Sequence, residues 1–311
     1  MQRSNKKLFI LTLLPIILVT TGMAQLNPSP SQFYYNPIVL SVAATGLKEM
    51  TRVDVSYRNT VPNNFYGSPV NQYVTFQSQT NNGGGIGIQF SGDNAGLLSR
   101  NRLMGSYALD LAKGDTRIRL GVGLGVMMNR INDRNGTLIR GDANDPAIAE
   151  FNQQKAIADG SVGFALETVK GLQALASLPS LGSIQQFSKY NSINYTVFNS
   201  MVKKKINLGF GGDASVGGMS SIEPMLGYRI IHGLKDIVDI GMLLSYQEWI
   251  GFLAMYHSNN EFAFGINIPY KEKLAFNFTY NTGKVYSKDY MNVGGTLEGH
   301  VMIKLWGNKN P

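Results

Sequence analysis

Few side chains in this chain are spaced for chemistry. His232, His257 and His300 are its only imidazoles, and none has the HExxH spacing by which a helix presents zinc. Isolated histidines in an extended wall serve as packing or hydrogen-bonding groups. Ser200-Met201-Val202-Lys203 matches the S-x-x-K spacing of a serine nucleophile, which needs a helical turn to bring hydroxyl and amine together. On a strand, positions three apart face opposite sides, so no nucleophile forms there. The glycine clusters Gly83–Gly85 and Gly209–Gly212 precede no helix and make no phosphate cradle. Asp133, Asp142, Asn144, Asp145, Glu150 and Asp159 are rich enough in oxygen for calcium, but they lack EF-hand spacing and read as solvated loop chemistry. Cysteine is absent, which removes disulfides, thiolate metal sites and a lipidated amino terminus. No nucleophile or acid–base pair converges, so neither an enzyme nor a metal or cofactor is expected.

The elements around these residues are strands. Residues 1–24 have the three zones of an export signal: Arg3, Lys6 and Lys7, then an apolar run from Leu8 to Val19, then Gly22 and Ala24 before cleavage at Gln25. That apolar run is interrupted by Pro15 and is short for a membrane helix, which needs roughly 20 residues. Beyond it, oily and polar residues alternate. Ile118, Leu120, Val122, Leu124, Val126 and Met128 share one face; Arg117, Arg119, Gly121, Gly123, Gly125, Met127 and Asn129 share the other. The split recurs where Phe262, Phe264, Ile266 and Ile268 oppose Ala263, Gly265 and Asn267. Three glycines at that spacing are costly in a helix. A β-sandwich also alternates, but the export signal, the missing cysteines and the strand lengths favour strands that cross lipid.

The predicted fold is therefore all-β, a transmembrane antiparallel barrel of about 14 strands in the outer membrane. Its strands are 51–58, 70–78, 84–91, 101–112, 116–130, 159–168, 171–178, 191–209, 222–231, 237–246, 248–257, 260–268, 273–281 and 296–306. Reading Lys203-Lys204-Lys205 as a turn would give an odd count, whereas bacterial single-chain barrels are even, so 191–209 is one long strand, bulged if necessary. Connections then alternate sides. Asn81–Gly83, Lys113–Asp115 and Pro269–Glu272 become periplasmic turns, and 59–69, 131–158, 179–190 and 282–295 become outer loops. Residues 25–50 belong in the periplasmic mouth or the lumen, ahead of a barrel covering 51–311. Arg58 and Arg102 project inward, where Asp54, Asp110 or Glu298 would pair with them. Phe33, Tyr34, Tyr35, Tyr228, Tyr246, Trp249 and Trp306 read as girdle or lumen packing. The formal charge of +8 falls to +5 once the three basic residues of the signal are removed, and it is spread along the chain, which argues against nucleic acid.

Several short motifs stand in a familiar order. Ser31-Gln32-Phe33-Tyr34-Tyr35-Asn36-Pro37 resembles the S-Q-Y-M-F-N-P opening of the PorP/SprF membrane proteins of the type IX secretion system of gliding and non-gliding Bacteroidetes. Their N-P-A-y-A-G element is degraded here to Ser41-Val42-Ala43-Ala44-Thr45-Gly46, and Tyr57-Arg58-Asn59 lacks the family's tryptophan. Gly85-Ile86-Gly87-Ile88 with Asp93-Asn94-Ala95-Gly96 is similar to the G-x-G and D-x-x-G signature. Asp145-Pro146, Ile222-Glu223-Pro224, Trp249-Ile250-Gly251 and Gly299-His300 follow in order, the last without the family's glutamate.

The resemblance implies a non-enzymatic outer-membrane accessory that helps secretion or surface attachment of cargo bearing a type IX C-terminal domain. Its implied partners are translocon or periplasmic ring-lipoprotein subunits, the cargo domain and outer-membrane lipid. The motif positions it offers as binding residues are Gln32, Tyr34, Tyr35, Asn36, Pro37, Arg58, Asp93, Gly96, Trp249, Gly251 and His300. The residues also have a purely local reading. Asn36-Pro37 forces a non-helical entry, the aromatic triplet would anchor that entry inside the barrel, and Asp93 with Gly96 would form a hairpin loop. A small-solute porin is the alternative function.

Overall fold

The computed structural model describes residues 31–47, 50–60, 68–81, 83–95, 98–112, 114–131, 146–153, 156–188, 195–208, 220–247, 249–271, 273–282 and 295–307. Among these, no helix is long and apolar enough to cross a membrane; strands make the crossing. They are β1 (Met50–Thr60), β2 (Val70–Gln79), β3 (Gly85–Ala95), β4 (Leu98–Ala112), β5 (Thr116–Ile131), β6 (Ile157–Thr168), β7 (Leu172–Leu178) and β8 (Tyr195–Lys204). After them come β9 (Ile206–Asn207), β10 (Ser221–His232), β11 (Ile237–Tyr246), β12 (Ile250–His257), β13 (Glu261–Tyr270), β14 (Leu274–Asn281) and β15 (Thr296–Gly307). Each pairs antiparallel with its neighbours, and β1 pairs with β15 while β10 pairs with β11, so the sheet closes without an edge.

The lysine run resolves as one stave. β8 and β9 both pair with β10 in a single register, Lys203 opposite Met225 and Ile206 opposite Ile222. The wall is therefore a closed antiparallel barrel of 14 staves. Closure matters physically, because a backbone amide left unpaired in hydrocarbon costs several kcal/mol.

The faces are inside-out relative to a soluble protein. Leu120, Val122, Leu124 and Val126 point outward and are exposed, while Gly121 and Gly123 between them and Arg119 and Met127 beside them are buried. Exposed aromatics mark two belts: Tyr246, Trp249 and Tyr270 near the short turns, and Tyr57, Phe262 and Tyr280 near the long loops. From Phe262 to Tyr270 a strand tilted in the usual way climbs roughly 20 Å, close to the ~25 Å apolar band of such barrels.

Two strands run further than their alternation suggests. The β3–β4 ladder continues through Asp93↔Arg100 to Ala95↔Leu98. Polar residues facing the lumen there ended the oily pattern early, so Asp93 belongs to a strand and not to a hairpin loop. Two short helices, α1 (Pro146–Gln153) and α2 (Leu181–Phe187), occupy connections read from the sequence as plain loop.

A lysine at Leu124, near the middle of β5 and 77% exposed, should cost about 2–4 kcal/mol of barrel stability. Urea unfolding of Leu124→Lys in lipid vesicles measures this, and a cost near zero would show that this face does not meet hydrocarbon.

Candidate functional site

Residues Ser31–Leu47 lie inside the barrel as three 3-10 turns, η1 (Ser31–Tyr34), η2 (Pro37–Val39) and η3 (Val42–Ala44). Pro37 begins η2 because its missing amide and fixed φ suit a first helical position. Ser41 caps η3, its hydroxyl accepting from the Ala43 amide. The wall is shaped to this segment. A Cβ on Gly121 would overlap the Ala43 backbone, one on Gly85 the Thr45 carbonyl, and one on Gly163 the Ser41 hydroxyl. Gly46 turns the chain at φ +67° against the Ser78 carbonyl, where a side chain would fit neither the space nor the backbone.

Two kinds of contact hold the segment. Phe33, Tyr34, Leu40, Ala43 and Leu47 pack against Leu175, Met201, Met225, Leu243, Leu253 and Met255, an apolar patch on the inner face of β7 to β12. On the opposite wall the contact is polar and centres on Asn36. Its amide donates to the Thr75 hydroxyl at 2.9 Å, and its carbonyl oxygen accepts from Arg52 Nη2 at 2.8 Å and Gln77 Nε2 at 3.3 Å. Arg52 also ion-pairs with Asp54 at 3.0 Å. Asp54 meets His300 Nε2 at 3.0 Å, and Asn277 contacts His300 Nδ1 at 2.7 Å. Asn277 in turn accepts from Asn267. With the Asn277 amide facing Nδ1, His300 turns Nε2 toward the Asp54 carboxylate. Tyr35 stacks on the His300 ring at 6.3 Å between centres.

Tyr34 faces the other way. Its hydroxyl donates to the Glu223 carbonyl at 2.7 Å, and Lys203 lies 4.7 Å above its ring while pairing with Glu223 at 3.5 Å. At the long-loop end the Ser31 amide donates to Glu298 at 3.2 Å, and its hydroxyl donates to Asn281 at 2.8 Å. At the short-turn end Arg119 donates to the Thr45 carbonyl at 2.9 Å and pairs with Asp110. The segment thus spans the lumen from end to end.

Both arginines face the lumen as expected, Arg58 beside the expected Glu298, whereas Arg102 takes a partner its spacing did not suggest. Arg58 lies opposite Glu298 in the β1–β15 register and donates to Thr296 at 3.1 Å. Arg102 pairs with Asp159. Asp54 and Asp110 are taken by Arg52 and Arg119, which stand nearer on the same or the adjoining strand. Asp159, grouped in the sequence with the calcium-like loop, is a lumen residue. It accepts from the Ser180 hydroxyl at 3.0 Å and the Gly182 amide at 2.8 Å, fastening α2 in the outer mouth. Asp133, Asp142, Asn144 and Asp145 lie outside the described residues, among which no metal-binding group of His, Asp or Glu forms.

Of the motif residues, Tyr34, Tyr35, Asn36, Pro37 and His300 converge on the lumen contact, with Arg58 above them. Asp93 is buried on the inner wall and accepts from Asn71 at 2.9 Å. Trp249 is 74% exposed in a short turn, and Gly251 backs onto Leu243 and Asn267, so neither joins the cluster. Gly96 and the side chain of Gln32 lie outside the described residues. Ser200 faces outward and Lys203 inward, so no serine–lysine pair forms. His257 meets the Asp239 carboxylate, itself clamped by Arg229 through two bonds of 2.6 Å. His232 stacks on Tyr195. Sequence reasoning missed Arg52, Gln77 and the inner Met–Leu patch. The missed signal was strands such as 237–246 carrying oily residues on both faces.

A closed barrel with lipid-facing aromatic belts and a lumen filled by its own amino-terminal segment defines an outer-membrane β-barrel protein. The family described as type IX secretion system membrane protein PorP/SprF matches residues 22–298, and the chain belongs to it. No curated protein matches the chain. Among solved structures it resembles the Ralstonia pickettii toluene transporter TbuX at 9% identity, covering 91% of this chain and 95% of that one with a TM-score of 0.53. The Acinetobacter baumannii outer membrane protein Omp33 follows at 5% identity, 82% and 99% coverage and a TM-score of 0.46. The likeness to TbuX is one of fold.

Asn36→Ala strips partners from Arg52, Gln77 and Thr75 at once. Leaving such groups unsatisfied costs about 1–3 kcal/mol, so the variant should unfold at lower temperature on heat-modified gels. Unchanged behaviour would mean that Asn36 does not anchor the segment.

Proposed function

We propose that this chain is a closed outer-membrane scaffold of the type IX secretion system. It helps cargo bearing a type IX C-terminal domain to be secreted or attached at the surface, and it does so by binding proteins, without catalysis. In this reading residues 1–24 are removed before Gln25, residues 25–50 form the lumenal segment, and the rest is the barrel. Partners are translocon subunits, periplasmic ring-lipoprotein subunits, or both, together with the cargo domain.

The observation that carries the proposal is the filled lumen. A porin needs a continuous watery path, and Ser31–Leu47 crosses that path while packing on apolar wall on one side and bonding to Arg52 and Gln77 on the other. With conduction disfavoured, the surfaces left for function are the outer loops and the two rims, which suit protein contact. Family membership supplies the secretion context.

Affinity isolation from detergent-solubilised outer membranes, followed by identification of co-purifying proteins, tests the proposal. Type IX translocon or ring subunits, or a cargo domain, should be recovered, and the purified barrel should conduct little in planar bilayers. Stable open-channel conductance with no secretion subunit recovered would favour the porin.

A further inference from the structure

Charge that is dispersed along the sequence is not dispersed in space. Inside the barrel it cancels: Arg52 faces Asp54, Arg102 Asp159, Arg119 Asp110, Arg229 Asp239 and Lys203 Glu223. Among the described residues the positive excess therefore sits outside the lumen. At the short-turn end six lysines gather in two groups. Lys170 lies in the β6–β7 turn beside Lys204 and Lys205, drawn together by the Lys205 amide donating to the Gly171 carbonyl at 3.0 Å. Lys271 and Lys273 flank the β13–β14 turn, and the Lys304 amide donates to the Lys273 carbonyl at 2.7 Å. Asp115 and Glu167 are the acids described near this rim apart from the paired Asp110 and Glu223. Among the described residues at this rim, the six lysines outnumber these two acids.

Their setting indicates what they meet. Lys204 lies between Val202 and Ile206, both exposed on the lipid-facing side of the stave. The Lys271 ammonium sits 5.2 Å from the ring centre of Tyr270, itself half exposed on the same outer surface. Trp249, between the two groups around the rim, is the most exposed of the belt aromatics. Ammonium groups alternating with tyrosine and tryptophan at the edge of an apolar band lie at the depth of lipid headgroups. Lysines placed there attract anionic headgroups, and this attraction fades within a Debye length. A surface built to dock an acidic protein would instead turn its lysines away from the lipid-facing side.

We propose that this lysine rim binds the phosphate groups of anionic phospholipids in the leaflet next to the short turns. The test uses the purified full-length mature chain in a neutral detergent, with phosphatidylglycerol or phosphatidylcholine added and retained lipid counted by native mass spectrometry. Wild type should retain phosphatidylglycerol several-fold better than phosphatidylcholine, and added salt should erase the difference. The triple variant Lys204→Glu, Lys205→Glu, Lys271→Glu should fall to the phosphatidylcholine level. Lys235→Glu, in a turn at the opposite end, should behave like wild type. Heat-modified gel migration shows whether each variant is folded; if the triple variant is not, Lys204→Glu alone and the salt titration of wild type carry the test. Equal retention of the two lipids overturns the proposal, as does retention insensitive to salt or to the substitutions. A folded triple variant that keeps its phosphatidylglycerol but loses a co-purifying periplasmic protein also overturns it, in favour of a protein dock. That result would leave the proposed secretion role standing.

Discussion

A barrel wall may close around water only if its inner face tolerates water. This one does not. Met201, Met225, Leu243, Leu253 and Met255 line one side of the lumen, and each such side chain is worth roughly 1.5–3 kcal/mol when covered. The covering is Phe33, Tyr34, Leu40 and Leu47, supplied by the chain's own amino-terminal segment. Apolar cover has no preferred depth or direction. The polar contacts provide those: Ser31 on Glu298 at one end, Asn36 on Arg52 in the middle, and Thr45 beneath Arg119 at the other end. Burial keeps the segment in the lumen, and hydrogen bonds fix where it sits.

Residues from distant parts of the chain meet because of this arrangement. Asn36 stands near the start of the described chain and His300 near its end, yet both are tied to the Arg52–Asp54 pair. The opening segment from Ser31 to Pro37, within the range matched by the PorP/SprF family, is then part of what occupies the barrel. Trp249 and Gly251 belong to the wall and its rim, away from that cluster. Among the described residues, what remains accessible to other molecules is the periphery: the outer end around α2, the short-turn rim and the lipid-facing belts.

How much was legible in the sequence follows from period. A strand with lipid on one side and polar lumen on the other alternates strictly, so 116–130 and 260–268 could be read directly. The even-count constraint decided the Lys203–Lys205 ambiguity, and the unbroken register from Lys203 to Ile206 against β10 explains why. Two features broke the period. Asp93 and Arg100 continue a ladder with polar lumen residues, which made strand resemble loop. Leu243 and Leu253 put oily residues on the inner face, where they meet a segment far away in sequence. Partner choice among the arginines was equally hidden. Spacing places Arg102 on the inner face but says nothing about Asp159, two staves away.

The segment's seat inside the barrel can be tested by paired cysteines, since the natural chain has none. Thr45 and Ser106 place their side-chain oxygens 3.0 Å apart, so Thr45→Cys with Ser106→Cys should oxidise to a disulfide in intact outer membranes while the barrel stays folded. If both thiols instead remained free and reacted with a bulky hydrophilic maleimide, the lumen would be open to water and the structural account would be wrong.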